Sequence, residues 1–80
     1  MEHAELRQAV ERGEFKEALL YKSIYGAFLI CALPDGTTHR IKLSASEAIG
    51  WQMLLEEKGL LRHYSRSGTQ TLLVYAPRPW

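Results

Sequence analysis

The apolar positions of this eighty-residue chain change period along its length, and the changes mark its elements. From Glu2 to Arg12, Leu6, Ala9 and Val10 recur at helical spacing, acids lie in the first turn and Arg12 in the last, and Gly13 can supply a left-handed C-terminal residue. The pattern predicts a short amphipathic helix. Residues 14–22 fit two readings, since Phe15, Ala18, Leu19 and Tyr21 suit either a further helical turn or the lead into a strand. Tyr25 to Leu33 is a mainly apolar run. It is followed by Pro34-Asp35-Gly36 and then by Thr37 to Leu43, where His39, Ile41 and Leu43 alternate with Thr38, Arg40 and Lys42. Proline presets φ, aspartate favours the next turn position and glycine accepts the left-handed one, so a β-hairpin with a three-residue loop is predicted.

Ser44-Ala45-Ser46-Glu47 reads as a capping box that opens a helix over 45–58, which Gly59 closes. Leu60 to Arg66, a Ser67-Gly68 turn and Thr69 to Tyr75 read as a second hairpin, and Pro77-Arg78-Pro79-Trp80 as a tail that cannot pair as a strand interior. The expected fold is a single α+β domain over residues 1–80, with 76–80 as the tail. Its expected order is α-β-β-α-β-β, a mainly antiparallel sheet with the helices on one face.

Register gives this fold its functional content. With the loop at Pro34 to Gly36, Cys31 falls opposite His39, Leu29 opposite Ile41 and Ala27 opposite Leu43, which makes that side the core. The other side pairs Ala32 with Thr38, Ile30 with Arg40 and Phe28 with Lys42, a mixture of apolar bulk and long cations able to lie across a ring. In the second hairpin a Ser67-Gly68 loop sets Leu61, His63, Leu72 and Val74 on one side. Leu60, Arg62, Tyr64, Arg66, Leu73 and Tyr75 then fall on the other. The expectation is that Phe28, Ile30, Arg40, Lys42, Arg62, Tyr64 and Arg66 share one aromatic and basic sheet surface that contacts a partner.

On the helix over 45–58, Ala48, Trp51, Leu54 and Leu55 form one apolar stripe and Ile49 and Met53 a second. A helix with two apolar sides calls for two neighbours. The first helix is expected to cover the second side, with a dimer or partner contact as the alternative.

Composition narrows the class. With 46% hydrophobic and 24% charged residues the chain is an ordinary folded domain, too short for a second one. Its longest apolar stretch is about half of what a bilayer span needs, and Met1-Glu2-His3 lacks the order of a signal peptide. One cysteine, Cys31, cannot form an internal disulfide. A cytoplasmic location is expected. The net charge of +1 predicts neither a strong polyanion binder nor a nucleic-acid mimic. The ends nevertheless differ in sign, with Glu2, Glu5, Glu11, Glu14 and Glu17 near the start and only Lys58, Arg62, Arg66, Arg78 and His63 after Glu57.

Reactive chemistry is sparse. Cys31 opposite His39 is the one pair that could act as nucleophile and base, but a cysteine among leucines on a core face is packing, and no third residue orients the histidine. His3, His39 and His63 lack Cys or carboxylate neighbours at ligand spacing, and the glycines mark turns instead of clustering into a phosphate loop. Glu56 and Glu57 are adjacent on a helix and diverge. No catalytic, cofactor or metal site is expected.

One stretch carries a partial resemblance. Leu54-Leu55-Glu56-Glu57-Lys58-Gly59-Leu60-Leu61, followed by Arg62 to Tyr75, resembles the end of a winged-helix domain, where a recognition helix runs into a two-stranded wing. The resemblance covers the last third of the chain. It departs upstream, where such a domain has a helix and this sequence has the strand Thr37 to Leu43, and Trp51 and Leu55 suit a core better than base reading. It implies DNA binding as one form of a nucleic-acid alternative. Single-strand stacking on Phe28 or Tyr64, with the cations holding phosphates, is the other.

The expected function is that of a non-enzymatic binding module, a small regulator or inhibitor that docks on a protein partner through the mixed sheet face, with a homodimer as a further arrangement. A short chain with a clean fold and no evident chemistry is also what small proteins of mobile genetic elements look like, inhibitors of host defence systems among them.

Overall fold

The computed structural model describes residues 3–79. The elements in chain order are α1 (His3–Glu11), β1 (Glu17–Ser23), β2 (Gly26–Ala32), β3 (Thr38–Leu43), α2 (Ala45–Lys58), β4 (Gly59–Ser67) and β5 (Gln70–Pro77). The five strands form one antiparallel sheet in the order β3-β2-β1-β5-β4. The expected order therefore lacked a strand. Residues 17–23 form β1, because Ala18 and Leu20 are buried on one side while Leu19 and Tyr21 lie on the other, a period of two that no helix has. This strand is the centre of the sheet, paired with β2 on one edge and β5 on the other.

The start of α1 at Glu2 lies outside the described residues. Its end follows the expectation. Gly13 has φ 72°, its N–H reaches Val10 O (2.9 Å) and the Glu14 N–H reaches Ala9 O (2.8 Å), the paired bonds of a Schellman motif. The first hairpin also has the expected register, with Cys31↔His39, Leu29↔Ile41 and Ala27↔Leu43 on one face. Its loop is closed by Leu33 N–H to Thr37 O (2.8 Å) and Gly36 N–H to Leu33 O (3.0 Å), with Gly36 at φ 92°. Asp35 braces it by accepting from Thr37 N–H (2.9 Å) and Thr37 Oγ1 (2.6 Å), and these bonds hold its carboxyl below the usual range.

The capping box of α2 is formed, Glu47 N–H donating to Ser44 Oγ (3.2 Å) and Ser44 N–H to Glu47 Oε1 (2.8 Å). Gly59 ends the helix in extended conformation, not in the left-handed one. Its need for glycine is steric. A Cβ there would lie 2.7 Å from Ala76 O and 3.1 Å from Leu55 O, so only glycine lets β5 cross so close to the end of α2.

The second hairpin departs from expectation in three ways. Its loop is Gly68-Thr69, with Ser67 opposite Gln70, because Gly68 (φ 60°) occupies the first central position, where a type II′ turn requires positive φ. A β-bulge between Leu61 and His63 leaves Arg62 without an opposite residue and carries Leu61 to the side of Tyr75. Ala76 and Pro77, expected in the tail, continue β5, and Pro77 pairs with Gly59 at the strand's end.

Both helices cover one face of the sheet. Leu6, Val10, Phe15, Ala18, Leu20, Leu29, Cys31, Leu55, Leu73 and Tyr75 are almost wholly buried there in one cluster. Ala48, Trp51, Leu54 and Leu55 are buried as the α2 stripe predicts. The second stripe is not covered by α1, which lies instead beside Trp51 with the Arg7 guanidinium 5.7 Å from that ring; Ile49 and Met53 are 59% and 66% exposed. No described helix is long and apolar enough to cross a membrane.

Candidate functional site

Cross-strand neighbours in a sheet point to the same side, so the registers define its faces row by row. Ile41, Leu29, Leu20, Leu73 and Tyr64 form one row, and its centre is the core beneath α2. On the opposite face, Lys42, Phe28, Tyr21, Leu72 and Ser65 form one row and Arg40, Ile30, Leu19, Val74 and His63 the next. Phe28, Tyr21, Leu72, Ile30, Leu19 and Val74 are all half-buried, and none belongs to the core cluster. This face is apolar in the middle, cationic along β3 and polar along β4.

No described segment covers it. The C-terminal residues turn the other way, since Arg78 donates to Glu56 O (3.0 Å) and Glu57 O (3.2 Å) at the end of α2. Those are carbonyls that a helix end leaves without partners, so the docking of Arg78 follows from helix geometry.

The rings on the open face are held upright. Tyr21 and Phe28 stack with centroids 4.8 Å apart and planes at 23°, the spacing of the strands that carry them. From the β3 side, the Arg40 guanidinium lies 4.6 Å from the Phe28 centroid. Phe28 is thus flanked by a ring on one side and a cation on the other. A shallow depression lined by Tyr21, Ser23, Tyr25, Gly26, Phe28, Arg40 and Lys42 opens at this corner. Arg40 and Lys42 form no ion pair with any described residue.

Of the residues expected to share one partner surface, the sheet brings together Phe28, Ile30, Arg40 and Lys42. It separates the rest. Tyr64 lies opposite Leu73 and Arg66 opposite Thr71, which places both on the helix side of the sheet, and Arg62 sits in the bulge. Tyr64 and Arg66 share a side with Leu73 and Tyr75 as expected, whereas the bulge exchanges the sides of Leu60 and Leu61; Leu73 and Tyr75 are core, so the residues beside them cannot belong to the open face. Leu19, Tyr21, Leu72 and Val74 belong to the open face instead. Their signal in the sequence is that Leu19-Leu20-Tyr21 and Leu72-Leu73-Val74-Tyr75 are apolar at consecutive positions, so each strand is apolar on both sides.

The remaining chemistry lies elsewhere. Cys31 is fully buried and desolvation pushes its thiol up to about 11, which disfavours the thiolate that a nucleophile needs. His39, its cross-strand partner, is half-buried with Nε2 3.2 Å from Thr37 Oγ1. Tyr75 donates toward Glu56 Oε1 (3.5 Å), and burial, with the Glu56 carboxylate second, raises its hydroxyl to about 12. No cluster of metal-ligating side chains occurs among the described residues. Trp51 and Leu55 are core, and β5 is paired on both edges, so β4 and β5 are built into the sheet and do not form a free wing. Compared with protein-family models, curated proteins and solved structures, the chain matches none.

Proposed function

We propose that this domain is a non-enzymatic protein-binding module, a small regulator or inhibitor that docks a partner on the open face of its sheet. The observation that carries the reading is the half-buried apolar surface of Leu19, Ile30, Val74, Leu72, Phe28 and Tyr21, left without a cover by helices that both lie on the other side. In a chain this small, so much apolar surface on one face is stabilising once a partner removes it from water. Arg40 and Lys42 form a cationic rim on one border, the arrangement of an interface with an apolar centre and a charged edge. A reducing, cytoplasmic setting fits the single buried Cys31.

Nucleic-acid binding is the competing reading, and the ring geometry weighs against it. A base stacks on a ring face that lies open, whereas Phe28 has Tyr21 on one side and Arg40 on the other. Titration with a mixed oligonucleotide pool tests this reading. Binding should be absent even at low salt, and tight binding with a steep salt dependence would replace the proposal.

A further inference from the structure

The edge of the sheet beside the open face carries a more specific kind of recognition. The bond from Leu33 N–H to Thr37 O sets the phase of the first hairpin's ladder. By alternation, His39, Ile41 and Leu43 bond to β2, and the backbone N–H and C=O groups of Thr38, Arg40 and Lys42 point outward. β3 is an edge strand of the sheet, so these groups meet no further strand. The same residues send their side chains to the open face, so one edge offers a row of backbone donors and acceptors together with two cations spaced two residues apart.

The two edges of the sheet differ. β4 is interrupted by the bulge at Arg62, a device that hinders strand addition, whereas β3 runs from Thr38 to Leu43 with neither bulge nor proline. The cations also lack a local role beyond the contact of Arg40 with Phe28, because no described carboxylate pairs with either. Glu17 is the one acid among the strand residues of the open face, and it lies two strands away on β1.

We propose that a partner protein adds an extended segment alongside β3, with carboxylates at alternate positions opposite Arg40 and Lys42 and apolar residues between them, next to the half-buried Ile41. This rests on the reading of the open face as a protein-binding surface. A second copy of the chain is the poorer occupant, since pairing β3 with β3 sets Arg40 and Lys42 against their own kind. A nucleic acid meets the charges but cannot complete the ladder of backbone bonds.

The probes are a soluble peptide of alternating glutamate and valine, its lysine-valine counterpart and a mixed-sequence oligonucleotide of equal charge. Amide exchange and methyl shifts of the isotopically labelled chain are followed with each. The acidic peptide should slow exchange at Thr38, Arg40 and Lys42, and the lysine peptide should not bind. Arg40→Glu with Lys42→Glu, both exposed positions, should weaken the acidic peptide about tenfold and transfer preference to the lysine peptide. Arg40→Gln with Lys42→Gln serves if the double reversal disturbs the spectrum, and should weaken the acidic peptide without recruiting the other. Peptide binding that shifts Leu19, Ile30 and Val74 without slowing the three amides would overturn strand addition and leave the open face standing. No binding of the acidic peptide at millimolar concentration would also overturn strand addition. Binding of the oligonucleotide alone would overturn strand addition and the reading of the face together.

Discussion

The guanidinium of Arg40 rests 4.6 Å from the centre of the Phe28 ring, on a face of the sheet that neither helix covers. Tyr21 stacks on the same ring from β1, at 4.8 Å. A chain that only needed to keep this face wet would place short polar residues here. It has instead a standing row of rings with a cation laid across the border, supported by apolar side chains from β1, β2 and β5.

Removing the Phe28 ring takes away both contacts at once. Phe28→Ala should cost about 1–2 kcal/mol, below the cost of a core phenylalanine because the ring is half-buried. Urea denaturation measures it; a loss as large as that of Phe15→Ala, whose ring is in the core, would mean that the open face is structural.

The apolar rows should matter for capture and little for folding. Ile30→Thr with Val74→Thr keeps β-branched side chains in the strands while making the centre of the face polar. The pair should weaken partner binding at least tenfold in a direct titration, with a stability change of about 1 kcal/mol. Ile49→Thr with Met53→Thr on α2, at positions equally apolar and more exposed, should leave binding unchanged.

Gly59 is the position where one added methyl is least tolerated. In Gly59→Ala the Cβ would meet the backbone oxygens of Ala76 and Leu55 at 2.7 Å and 3.1 Å, and neither can turn aside as a side chain would. A loss of about 2–3 kcal/mol is expected, read as a lower urea midpoint with an unchanged slope. Gly50, with open space around it, should accept alanine with no loss.

Alkaline stability follows from the buried thiol. The pKa of Cys31 is raised from 9.0 to about 11 in the fold, so the folded state holds a proton that the unfolded chain releases first. Below pH 9 both forms are protonated and the group adds no pH dependence. From pH 9 to about 11 stability should fall, by about 2–3 kcal/mol if this site alone acts. Tyr75, raised from 10.0 to about 12, extends the decline upward. The urea midpoint of Cys31→Ala should change less between pH 9 and 10 than that of the natural chain.

The first hairpin was legible because its turn chemistry and its alternation agree, and its register of Cys31 opposite His39 holds in the fold. α2 was equally legible from its capping box and glycine. β1 was not, for Leu19-Leu20-Tyr21 is apolar at every position and a central strand has no polar side to reveal its period. Without β1, the sheet had no centre from which to assign the faces of the second hairpin. That is why four of the seven residues expected on one face share it and three do not. Phe28, Ile30, Arg40 and Lys42 follow from a register that local turn residues decide, whereas the placing of Arg62, Tyr64 and Arg66 depends on which side of β5 meets α2. The bulge at Arg62 left no mark in the local sequence.

A photoactivatable phenylalanine analogue placed at Leu19, in the middle of the open face, tests the central claim most directly. Irradiation in the source cell, with nuclease treatment of the products, should give a discrete adduct between the chain and one other protein. The same analogue at Met53 should give none. Adducts that nuclease removes, or adducts that form at Met53 and not at Leu19, would contradict the assignment of this face to a protein partner.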